Sequence, residues 1–67
     1  MNKPYLVSFA PHSEIAYTFE VDAKDADEAQ DLASYDFKFD IGGDRFKDFE
    51  CVKIEIFDEK TENWIEA

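Results

Sequence analysis

The alternation of apolar and polar positions is sharpest between Glu14 and Asp31, where EIAYTFEVDAKDADEAQD passes from one period to another. Ile15, Tyr17, Phe19 and Val21 alternate with Ala16, Thr18 and Glu20, which predicts a half-buried strand over Ile15 to Val21. From Asp25 onward the apolar positions recur at Ala26, Ala29, Leu32, Ala33 and Phe37, the spacing of one helix face. Asp25 is a preferred N-cap residue, and Glu28 stands where the reciprocal capping-box acid belongs. The stripe is mostly alanine, so the helix is expected to sit close to whatever it covers. Phe37, Phe39 and Ile41 also alternate with Lys38 and Asp40, which leaves the helix end open between Tyr35 and Gly42. The reading adopted ends it between Tyr35 and Phe39 and runs a loop through Gly42, Gly43 and Asp44.

The same logic places three further strands. Tyr5, Val7 and Phe9 alternate within Pro4 to Ala10, and Pro11 ends that run because proline cannot donate to a ladder. The segment PHSE is a plausible hairpin link between the first two strands. RFKDFE leads into a third strand, Cys51 to Phe57, with Val52, Ile54 and Ile56 inward and Lys53 and Glu55 outward. After the polar turn Asp58 to Asn63, the tail from Trp64 to Ala67 reads as a short edge strand. The elements are therefore β-β-α-β-β, an α+β fold. Hairpins pair neighbours and the helix carries the chain across, giving a four-stranded antiparallel sheet of order 2-1-3-4 with the helix on one face. Tyr17, Phe19, Leu32, Phe37, Val52 and Ile54 are expected to be buried together.

Composition sharpens this picture. With 67 residues the chain is one small domain, and its seven Phe, three Tyr and one Trp must supply much of the core. Seventeen acids against seven bases give a formal net charge of −10. Direct binding to nucleic acid or an anionic membrane is disfavoured, since both need a basic surface. A basic protein partner is favoured instead, with attraction that weakens as salt rises. Cys51 is alone, no signal peptide or membrane-spanning run stands out, and cytoplasmic residence is expected.

Candidate chemistry is sparse. His12 is the one histidine, beside Pro11 in the presumed hairpin link, and Cys51 lacks a nucleophile context. Asp36, Asp40, Asp44 and Asp48 recur every four residues, which is not the spacing of a calcium loop. No catalytic residue, metal or cofactor is expected, and the chain does not read as an enzyme. Exposed aromatics on a sheet can stack bases, but such surfaces pair them with Lys and Arg, which are outnumbered here.

The acids cluster. Glu20 and Asp22 point outward from the second strand, where alternate residues lie roughly 6.6 Å apart. Asp27, Glu28 and Asp31 are expected to continue the row along the helix, with Glu55, Asp58, Glu59 and Glu62 as a second group. Acids near a helix N-terminus also favour its dipole, so some have a local reason to be there. In its size, charge and strand–helix join, FEVDAKDADEAQDLA, the chain resembles small phage-encoded anti-CRISPR and anti-restriction inhibitors. The resemblance implies a stoichiometric inhibitor of the DNA-mimic type; a monomer or homodimer is expected. It would sit in host cytoplasm on the nucleic-acid-binding surface of a defence protein. The alternative is a small assembly protein that oligomerises through an apolar sheet face, using Leu6, Phe46, Phe49, Phe57 or Trp64.

Overall fold

The computed structural model describes residues 2–11 and 17–67; of the expected hairpin link, His12, Ser13 and Glu14 lie outside these, and with them Ile15 and Ala16. The chain runs β1 (Lys3–Ala10), β2 (Tyr17–Ala23), α1 (Ala26–Ile41), α2 (Gly43–Phe46), β3 (Glu50–Asp58) and β4 (Asn63–Glu66). The described strands pair antiparallel in the order β2-β1-β3-β4, as expected from hairpins that pair neighbours and a helix that carries the chain across. No described helix is long and apolar enough to cross a membrane.

The core forms where α1 lies on one face of the central strand. Tyr5, Val7 and Phe9 on β1 are buried with Ala23 against Ala29, Ala33 and Phe37 of α1. The small alanines let the helix backbone approach the sheet, so one large side chain suffices to fill the remaining space. That side chain is Phe37. Its ring lies 5.0 Å from those of Phe9 and Tyr17, 5.3 Å from Phe19, 5.1 Å from Phe49 and 5.7 Å from Phe46.

The helix entry follows from local chemistry. Asp25 is extended, and its carboxylate accepts a hydrogen bond of 2.8 Å from the Glu28 amide. Glu28 reaches back one residue further than a capping box requires and accepts from the Lys24 amide at 3.3 Å. The exit differs from expectation. Rather than stopping between Tyr35 and Phe39, α1 continues to Ile41, because Ile41 extends the buried line Ala29, Ala33, Phe37 by one more turn and packs on the core. Gly42 then closes it, donating 2.9 Å to the Lys38 carbonyl at φ 87°, ψ 149°, a region open essentially to glycine alone.

Three burial expectations are corrected. Leu32 is 43% exposed, because five residues place it about 140° around the helix from Phe37. Tyr17 is 44% exposed: its ring touches the cluster from the rim of the sheet. Val52 does not share the inward face of β3. The β1–β3 register pairs Ser8 with Lys53 but Phe9 with Cys51, so Val52 is the extra residue of a β-bulge. Cys51, not Val52, therefore packs on the core beside Ile54 and Ile56. Finally, RFKDFE is not simply a lead-in to a strand. Its first part closes the one-turn helix α2, which tucks Phe46 onto Phe9 and Phe37.

Candidate functional site: an uncovered acidic sheet face

With α1 on the side of Tyr5, Val7 and Phe9, strand alternation turns Leu6 and Ser8 to the opposite face. No described element covers that face. Its central strip is polar but satisfied: buried Ser8 shares a 3.2 Å hydrogen bond with Thr18. Beside it, one cross-strand row spans all four strands. Glu20 pairs with Leu6, Leu6 with Glu55, and Glu55 with Glu66. Neighbouring strands lie about 4.8 Å apart, so Glu20 and Glu55 project roughly 10 Å from one another across Leu6. Asp22 follows Glu20 on the same face of β2, opposite Pro4.

Among the described residues, counter-charge on this face is scarce. Lys53 is the base the strands place here, and its ammonium is already 3.5 Å from the Glu55 carboxylate. With Lys53 about half exposed and Glu55 only 20% exposed, the pair is still partly screened by solvent, and it orients Glu55 more than it stabilises the fold. The next row adds an apolar corner. Phe57 pairs with Trp64 across the β3–β4 hairpin, their rings edge to face at 5.3 Å. Carboxylates, a leucine and an aromatic pair thus share one open surface built on strands.

The predicted acidic residues divide among three places. Glu20, Asp22 and Glu55 come together on the open face. Asp27, Glu28 and Asp31 do not continue that row, because α1 occupies the other side of the sheet; Asp27 and Asp31 are exposed there, and Glu28 is half-buried in its cap. Asp58, Glu59 and Glu62 gather at the β3–β4 turn. The Asp58 carboxylate accepts from the Lys60 amide at 3.2 Å and from the Thr61 hydroxyl at 3.0 Å, which shapes the turn. Glu62 sits at φ 57°, the left-handed conformation that lets β4 return. Glu66 was not among the predicted contacts, yet it completes the row. Counting alternation forward from Trp64 in the hairpin would have placed it there.

His12 lies outside the described residues. Cys51 is half-buried, and burial pushes its thiol above the ordinary value of 9.0, so it is not a thiolate at neutral pH. Among the described residues no group of three or more His, Cys, Asp or Glu side chains is arranged to hold a metal ion. Comparison with known proteins finds no family model, no curated protein and no solved structure that matches the chain.

Proposed function

We propose that this domain binds a basic protein surface and acts as a stoichiometric inhibitor. It would occupy the nucleic-acid-binding surface of a host defence protein, such as a CRISPR effector, in place of nucleic acid. The observation that carries the reading is the uncovered row Glu20–Leu6–Glu55–Glu66, with Asp22 beside it, on a chain of net charge −10. A groove that binds a phosphate backbone presents Lys and Arg against a regular line of negative charge. Carboxylates on adjacent strands offer such a line with their backbones already fixed, so less ordering is lost on association. Rim charges of this sort chiefly accelerate encounter and set salt dependence, while a desolvated centre contributes residence time. Leu6 and the Phe57–Trp64 pair are the apolar groups available for that centre.

The same apolar groups favour a second reading, assembly of several copies through the open face. Phe46 and Phe49 are no longer candidates for it, since both pack on the core. Sedimentation at low and high salt separates the two readings. An apolar oligomer persists in high salt, whereas a charge-driven complex weakens.

The direct test is affinity capture from host lysate using the wild type, the sheet variant Glu20→Lys/Glu55→Lys/Glu66→Lys and the helix variant Asp27→Lys/Glu28→Lys/Asp31→Lys. The expected result is a nucleic-acid-binding protein retained by the wild type and the helix variant, released by salt or by added duplex DNA, and lost by the sheet variant. Equal retention by the sheet variant removes the open face from the reading. Circular dichroism of each variant checks that the fold is intact.

A further inference from the structure

The outward side of α1 carries a second apolar stripe that the core does not use. Leu32, Tyr35 and Phe39 follow at spacings of three and four residues, on the side of the helix away from Ala29, Ala33 and Phe37. They are 43%, 73% and 83% exposed. Tyr35 and Phe39 also wall shallow recesses on both flanks of the helix, one reaching Phe19 and Asp40, the other Lys38 and Gly43. Among the described residues neither ring belongs to the core, and a solvated helix face is served better by polar residues. Anchors at i, i+3 and i+7 are the pattern by which a helix enters an apolar groove of another protein.

The surrounding charge selects the occupant. Glu28 lies in line with the stripe, Asp31 and Asp36 border it, and Lys38 is the one base beside it among the described residues. A second copy laid stripe to stripe would oppose these carboxylates on two chains that each carry −10. An anionic bilayer would repel them, and helices that lie in a membrane surface carry Lys and Arg on the polar side. A groove with an apolar floor and a Lys/Arg rim matches both the anchors and their border. We propose that α1 docks through Leu32, Tyr35 and Phe39 into such a groove on a partner protein. This surface lies across the sheet from the carboxylate row, so it goes beyond the function proposed above and can fail independently of it.

The test uses the full chain and a synthetic Leu/Lys peptide designed as an amphipathic helix, whose apolar face has a basic rim. A peptide of the same composition in scrambled order controls for charge alone. Fluorescence anisotropy is expected to show the amphipathic peptide binding about tenfold tighter than the scrambled one. Tyr35→Ser/Phe39→Ser should bring the two peptides to within about twofold of each other, with circular dichroism and melting unchanged. Glu20→Gln/Glu55→Gln/Glu66→Gln should keep the preference. Equal binding of both peptides to the wild type overturns the proposal, as does a preference that survives Tyr35→Ser/Phe39→Ser. A dimer seen by sedimentation and dissolved by Phe39→Ser would assign the stripe to a second copy and overturn it equally.

Discussion

Truncating Phe37 to alanine should come close to unfolding the domain. The side chain is fully buried and its ring meets five others within 5.7 Å, drawn from β1, β2, α2 and the segment before β3. Burying a phenylalanine removes on the order of 150–250 Å² from water, worth roughly 4–6 kcal/mol at about 25 cal/mol per Å². Alanine keeps part of that area, and the neighbouring rings relax partly into the space, so the expected loss is about 3–5 kcal/mol. A domain of this size holds roughly 3–10 kcal/mol in total. Urea unfolding followed by circular dichroism should show the midpoint collapsing toward zero denaturant. Where a transition survives, its melting temperature should fall by at least about 12 °C, at 4–8 °C per kcal/mol. Phe39→Ala is the matched control on the same helix: with its side chain 83% exposed it should shift stability by no more than about 0.5 kcal/mol. A loss below about 1 kcal/mol for Phe37→Ala, or equal losses for the two variants, would refute the view that one ring organises the core.

The adjacent glycines should separate sharply. Gly42→Ala should cost about 1–3 kcal/mol in thermal unfolding, because its φ of 87° is strained for an L-residue although a Cβ meets nothing within 4 Å. Gly43→Ala, whose Cβ makes an ordinary 3.5 Å contact with the Lys38 side chain, should be neutral or slightly stabilising in the same assay. Asp25→Ala removes the carboxylate that accepts the Glu28 amide and should cost about 1 kcal/mol, with Asp25→Asn retaining most of the stability. For Cys51 the folded thiol titrates above its unfolded value of 9.0, so folding holds the proton more tightly. Stability should be flat below that pH and fall as pH rises through the folded value, and chemical unfolding of Cys51→Ser should lack this alkaline decline.

Much of the fold is legible in the sequence because each strand buries one face, and a period of two survives even where individual side chains are only half covered. The helix start was legible for a different reason: Asp25 and Glu28 make their capping contacts within four residues, so no tertiary information is needed. The errors arise where one residue changes the parity or the phase of a pattern. The bulge at Val52 shifts the inward position to Cys51, and it depends on how β3 meets β1, which β3 alone does not encode. Leu32 looks like part of the stripe from spacing alone, but the buried line Ala29–Ala33–Phe37–Ile41 runs one step to its side. The acidic residues were visible as a set and invisible as a surface. Glu20 and Asp27 stand seven residues apart along the chain and on opposite layers of the molecule, a separation fixed by which face of the sheet α1 covers.

The direct opposition of Glu55 and Glu66 also gives added salt two contrary effects. Like charges facing each other across a strand pair oppose the closure of that hairpin, and β4 is held by only four residues at the edge of the sheet. Mobile ions at physiological strength screen over about 8 Å, a range that covers this pair and much of the row. Salt should therefore firm the free domain, β4 first, while loosening any complex made with a basic surface. A cationic partner would act as a localised counter-ion, relieving the repulsion only while bound. The edge strand would then be held most firmly in the complex, so slowed amide exchange in β4 would report engagement of the open face even where no contact reaches the strand itself.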